Sequence, residues 1–422
     1  MTLLASADEA FAGLLRAEPD AVRNPYPIYR RLREQSGCYW YQDDIAVLTS
    51  YSAVRSALTD SRRFNSMRGE DRFDVNAFSE ADRDKTRQLL EFESLSFSTA
   101  NGEVHRQLRC LVQQAFTQGS VNALEGYVQT LVNDELDRLS GPGVVDLMPM
   151  ATRVPLFVVM RMLGAADEDV DFLKTHTDSL AAVKIFAPKA VSVERVRQAH
   201  ESIGVLRHYV ADLASHHRQL QANNLLSVLL TAQDEDRLTY DEVAASFVII
   251  TVAGHETSSN LVGNGLHDML AQRDQWEKLV ADPSLAALAV EEVSRANTPA
   301  QMVSRTTVAD VVVDGTELPE GSPVLLVFGA ANRDPAEFED PDRFDITRPA
   351  QPHVGFGLGA HICLGAALAR LEGRIIFETI CQRFPDLQLA ADPQTLEWLP
   401  TPTFHGLRRL PVTLGADSGR TC

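Results

Sequence analysis

Phe356-Gly357-Leu358-Gly359-Ala360-His361-Ile362-Cys363-Leu364-Gly365 carries three glycines, a histidine and one cysteine in ten residues, just ahead of a strong helical pattern. Glycine reaches left-handed backbone angles and lets the chain approach a flat ligand where a side chain would clash. The cysteine falls on a tight loop leading into a helix that begins near Leu364, and helix N-terminal dipoles favour a thiolate over a thiol there. A thiolate so placed is a soft ligand for a metal ion. A lone cysteine on a glycine-rich turn is more often buried and inert, so that residue alone decides little. The ten-residue pattern decides more.

Outward from this loop, the longest helical pattern runs from Thr239 to about Leu270. Thr239 and Glu242 form a capping-box signature at its start. In its middle, Ala253-Gly254-His255-Glu256-Thr257-Ser258 sets a polar cluster beside a glycine, a residue that costs ~1 kcal/mol relative to alanine inside a helix. Such a turn suits a solvent-facing helix. The flanking Phe247-Val248-Ile249-Ile250 and the length of the run point instead to a buried helix, where charge is costly unless it is used. Glu292-Val293-Ser294-Arg295 puts an acid and a base on one helical face, ordinarily an exposed pair worth under ~1 kcal/mol. Thr298-Pro299 should end that helix. Elsewhere the pattern predicts a short helix ending near Gly37, a hairpin around Asp44, helices from about Ser120 onward, and strands at 311–313 and 324–327.

The decamer resembles the haem-binding loop of the cytochrome P450 family, F-G-x-G-x-H-x-C-x-G, at every specified position. The polar turn is similar to that family's A-G-x-[DE]-T, and Glu292 with Arg295 to its buried E-x-x-R. Ala331-Asn332-Arg333-Asp334-Pro335 and Phe338-Glu339-Asp340-Pro341 look like its R-D-P-x-x-F-x-[DN]-P stretch. The likeness extends from Asn24-Pro25-Tyr26-Pro27 to Pro402-Thr403-Phe404-His405-Gly406. It implies the P450 fold, mainly α with small β-sheets, as one domain over residues 1–422, with about the first 20 a loosely ordered segment.

The resemblance also implies heme b (iron protoporphyrin IX) with Cys363 as the iron ligand, a thiolate that favours O–O cleavage. Phe356, Gly357, Ala253 and Gly254 are expected against this cofactor, Gly254 by opening the helix to make room for O2. Glu256 and Thr257 are the expected catalytic acid–alcohol pair, since O–O cleavage consumes protons that a hydroxyl and ordered water relay. His105, Arg109, Arg305 and His361 are expected to hold the propionates, because buried carboxylates require cationic or hydrogen-bonding partners. Val248, Ile249, Val252, Ala300, Gln301, Met302, Val303 and Phe404 are the expected substrate wall, suited to a mid-sized lipophilic molecule. In two places the chain departs from the family pattern. Ala100-Asn101-Gly102-Glu103-Val104-His105 replaces the usual D-P-P-x-H after a long polar loop over residues 65–99, and Ala296 stands where an aromatic is common.

The implied activity is monooxygenation, hydroxylating or epoxidising a natural-product-like substrate of secondary metabolism. The alternatives are other haem-thiolate chemistry (oxidative coupling, NO reduction or peroxide-driven oxidation) and a silent docking module. The docking reading is disfavoured by the intact thiolate and acid–alcohol pair. The chain has no nucleotide-binding glycine fingerprint, so NAD(P)H would serve only indirectly, through a ferredoxin and ferredoxin reductase. Arg106, Arg370 and Arg374 are the expected basic docking patch. A carrier protein is a further candidate partner, and the protein is expected as a monomer. A formal charge of −19 argues against nucleic acid. No stretch approaches the ~20 apolar residues of a membrane span. Five scattered cysteines and an N-terminus without a signal-like core point to the cytoplasm.

Overall fold

The computed structural model describes residues 6–66, 73–139, 143–184, 190–220 and 224–417. Its axis is the 32-residue helix Tyr240–Ala271. The Thr239 hydroxyl accepts from the Glu242 amide, and the Glu242 carboxylate accepts from the Thr239 amide at 2.8 Å, completing the expected capping box. Apolar residues occur all round this helix, so it is buried by neighbours rather than laid on a surface. Its main partner is Met148–Leu163, which is itself buried along most of its length and keeps Pro155 inside. Two glycines allow the close approach. A Cβ on Gly254 would stand 2.5 Å from Val159 Cγ2, and one on Gly263 would stand 2.7 Å from Met148 Sδ. The expectation that Gly254 opens the helix is therefore corrected. The helix is continuous there, and the bare face of the glycine seats Val159.

A five-stranded sheet lies to one side, in the order Cys38–Tyr41, Ile45–Leu48, Pro323–Val327, Met302–Thr307, Phe64–Ser66. The predicted hairpin turns through Gln42 and Asp43, both at positive φ. In Met302–Thr307 the side chains alternate: Met302 and Ser304 are buried, whereas Val303 and Arg305 are only half-buried on the other face.

The pair Glu292 and Arg295 is buried, at 2% exposure each, and doubly hydrogen-bonded at 2.8 Å. Arg295 also donates to the carbonyls of Asn332, Pro341 and Arg343, and Glu292 accepts from the Asp345 amide. The pair thus ties helix Ala286–Ala296 to the connector that leads into the cysteine loop. Ala296, the atypical position, contributes its carbonyl to Arg333, whose guanidinium stacks 3.5 Å from the Tyr26 ring centroid.

Two further expectations are corrected. Residues 1–5 lie outside the described residues, and from Ala7 onward the N-terminal segment is packed: helix Ala7–Leu15 buries Phe11 and Leu14, and Phe11 meets Tyr41 edge-on. Of residues 65–99, 67–72 lie outside the described residues, and the rest include helix Glu80–Ser94, capped by Ser79, with Leu89 and Phe92 turned into the core.

Candidate active site

The cysteine loop is shaped by its glycines. Gly357 and Gly359 sit at φ +66° and +69°, and a Cβ on Gly359 would lie 2.3 Å from the Leu58 carbonyl. The Cys363 amide donates to the Phe356 carbonyl at 2.7 Å, closing the turn. The following helix starts at Ala366, two residues later than the sequence pattern suggests. Cys363 is accessible to solvent although protein surrounds it closely. That crowding pushes its thiol above the ordinary value, while the Gly365 amide, Arg109 and Arg370 pull the other way. Phe356 is half-buried, with the Arg370 guanidinium 4.5 Å from its ring centroid.

Beside this loop the four expected propionate partners come together. His105 and His361 pack ring to ring at 4.1 Å, and Arg109 donates to the Ile362 carbonyl at 2.6 Å. Burial pulls His361 down to about 3, helped by His105, Arg305 and Arg109 nearby. Burial alone lowers Arg305 to about 10, and its guanidinium reaches only the Ser304 carbonyl. His105 Nε2 is buried with no hydrogen-bond partner. Among the described residues no carboxylate pairs with any of the four. A cluster of basic groups without a counter-charge, one of them orphaned, fits the two carboxylates of a haem. Sequence reasoning missed Ser66, whose hydroxyl lies 3.2 Å from His361 Nε2. It also missed Asn101, whose side chain accepts from the Ser66 amide.

On the central helix, Ala253 is exposed and Thr257 half-buried, one turn apart, although most of that helix is sealed. The Thr257 hydroxyl donates to the Ala253 carbonyl at 2.9 Å, which leaves its lone pairs for a donor from outside the helix. Burial raises the Glu256 carboxyl above its ordinary value and nearby Asp178 adds to this, while His255, Lys174 and Lys184 oppose it.

Val248, Ile249 and Val252 line a cavity completed by Leu89, Phe92, Leu180, Ile203 and Ala245, with Glu93, Ser96 and Lys184 as its polar wall. About half of this wall comes from Glu80–Ser94 and the segment around Lys184, in neither of which the sequence reading named a lining residue, although the resemblance implies that the 65–99 stretch roofs the pocket. Ser79 and Asp82 ahead of apolar residues at helical spacing were the available signal for the first. Ala300 and Phe404 pair as an isolated bridge, both half-buried, and Val303 shares the face of Arg305. Gln301 and Met302 are corrections. Gln301 is buried and donates to the Thr298 carbonyl at 2.7 Å, and Met302 is fully buried in the core. Strand alternation turns Met302 away from Val303 and Arg305, whereas Gln301 precedes the strand and its side chain is held by the Thr298 carbonyl.

A helical scaffold that offers an accessible cysteine on a glycine loop, a basic cluster beside it and an open polar turn on its central helix has the make-up of a haem-thiolate protein. The sequence model of the family Cytochrome P450 matches residues 24–405. Cytochrome P450 monooxygenase PikC of Streptomyces venezuelae is 34% identical over 95% of this chain and 94% of its own length. Vitamin D(3) 25-hydroxylase of Pseudonocardia autotrophica is 35% identical over 94% of this chain and 95% of its own. Among solved structures, P450BioI in complex with a hexadecenoyl-ligated acyl carrier protein superposes with a TM-score of 0.85 at 31% identity, covering 93% of this chain and 99% of that one. This chain belongs to the cytochrome P450 family and is a P450 monooxygenase. Among the described residues no helix is long and apolar enough to cross a membrane.

Proposed function

We propose that this protein hydroxylates or epoxidises a mid-sized, mainly lipophilic natural product, with O2 as co-substrate and electrons from an external ferredoxin and its reductase. The cavity against the open turn of the central helix is the observation that carries the reading: its walls are aliphatic or aromatic apart from Glu93, Ser96 and Lys184. Cys363 would hold the haem iron, and His105, Arg109, Arg305 and His361 its propionates. When bound, thiolate-ligated haem supplies O2 activation and O–O cleavage. The residues of the chain supply the rest. Thr257 presents hydroxyl lone pairs where a donor can be bound, and the carboxyl of Glu256, biased toward its protonated form by burial, is a source of protons one residue away. The largely apolar wall disfavours water beside the reacting centre.

Absorbance titration of the ferric holoenzyme against a panel of lipophilic precursors tests this. A saturating low-to-high-spin shift with one compound class is the expected result. No shift with any free compound, together with a shift from the same acids loaded on a carrier protein, would replace the free substrate by a tethered one. No shift with either would remove the assignment of this cavity as the substrate site.

A further inference from the structure

His255 precedes Glu256 on the central helix and is 2% exposed. Its Nδ1 lies 2.7 Å from the Thr251 carbonyl oxygen, and its Nε2 lies 3.5 Å from Oδ1 of Asp178, on helix Val170–Ala181. A carbonyl and a carboxylate can only accept, so the ring offers a hydrogen to both only as an imidazolium. Either neutral tautomer would set a bare nitrogen against an oxygen lone pair in a buried place, which costs stability. Asp178 is half-exposed and also pairs with Lys174, one turn earlier. Burial pushes the Asp178 carboxyl up, but His255 and Lys174 more than offset this and hold it below its ordinary value.

The other charged groups close by are Glu256 on the same helix and Lys184 beyond helix Val170–Ala181. Helix Met148–Leu163, packed on the far side, brings Val159 against Gly254 and spends its cations elsewhere. Arg153 pairs with Glu135 and Asp171, and Arg161 stacks on Tyr127. Glu93, from helix Glu80–Ser94, pairs with Lys184.

We propose that His255, doubly protonated and clamped between Thr251 and Asp178, is a positioning residue that fastens the polar turn of the central helix to helix Val170–Ala181 and keeps a positive charge beside Glu256. The clamp rests on the reading of Glu256 as the proton source for its function, though not for its existence. Leu180 and Lys184 of the cavity wall belong to the fastened segment, so the clamp also sets the shape of that wall.

The test is 15N NMR of histidine-labelled holoenzyme in its diamagnetic ferrous carbonyl form, with His255 assigned through His255→Gln. The expected result is that both ring nitrogens carry hydrogen at neutral pH, that Asp178→Asn causes loss of one of them at lower pH, and that Asp178→Glu restores it. A singly protonated ring at neutral pH in the unsubstituted protein, or a ring indifferent to Asp178→Asn, would overturn the clamp. Product formed per electron should fall in Asp178→Asn and recover in Asp178→Glu, whereas a purely structural contact would leave the protonation of the ring unchanged in both. If Glu256→Gln leaves that yield unchanged while His255 stays doubly protonated, the clamp stands and the role of Glu256 falls.

Discussion

Glu372 shows how far one residue can depart from what its type suggests. It lies on helix Ala366–Arg383 with no exposed surface, and neither carboxyl oxygen has a hydrogen-bond partner at bonding distance. Burial raises its carboxyl from 4.5 to about 8, with the Ser258 hydroxyl of the central helix pulling only weakly back. The folded chain therefore keeps a proton there that the unfolded chain releases near 4.5. Stability from this group is complete below that value and falls as pH rises toward 8. Glu372→Gln, neutral throughout, should escape the loss: its urea midpoint should rise above that of the parent progressively across this window. Parallel profiles would show that Glu372 is ionised in the fold. At this scale the sequence was legible wherever chemistry imposes a residue type. Cys363 and His361 on one loop, Arg109 on helix Gly102–Gln113 and Arg305 on strand Met302–Thr307 lie close together. Gln301 was misplaced because its position in the chain says nothing about which face of the neighbouring strand it follows.

Among elements, the central helix was readable end to end from its capping box and its apolar run, and the hairpin from its alternation. Helix Glu80–Ser94 was not, because its composition is polar and only Asp82, Thr86, Leu89 and Phe92 mark its buried side. It is held by long-range contacts instead: Asp82 takes two 2.8 Å hydrogen bonds from Arg197 of helix Val193–Leu220. The connector before the cysteine loop depends likewise on one ion pair. Arg295→Met would leave the buried Glu292 carboxylate with only the more distant Arg348 and the Asp345 amide, and the carbonyls of Asn332 and Pro341 without a donor. A loss of about 3–5 kcal/mol is expected by denaturant unfolding, with part recovered in the double variant with Glu292→Gln. An effect below ~1 kcal/mol would mean that the connector is held by other contacts.

For the whole molecule, the charge of −19 must be reconciled with the acidic ferredoxin proposed as electron donor. The three arginines expected to receive it are not equivalent. Arg370 is tied to Glu291 at 2.6 Å and stacked on Phe356, so it supports the loop, and Arg374 is shared between Glu125 and Glu378. Arg106 is the most exposed of the three, paired only within its own helix to Glu103. Arg106→Glu should slow reduction by a ferredoxin severalfold, more so at low salt, with the absorbance spectrum unchanged. Arg370→Glu should alter the spectrum as well. Equal reduction rates for Arg106→Glu and the parent would place the donor elsewhere.

The central claim is that Cys363 on its glycine loop binds haem iron as a thiolate while the basic cluster holds the propionates. The most direct measurement is the absorbance of the ferrous carbonyl complex, with haem content per chain, for the parent protein and for Cys363→Ser. One haem per chain is expected, with a thiolate-type carbonyl spectrum that Cys363→Ser abolishes. A protein that binds no haem, or one whose carbonyl spectrum is the same with serine at 363, would contradict it.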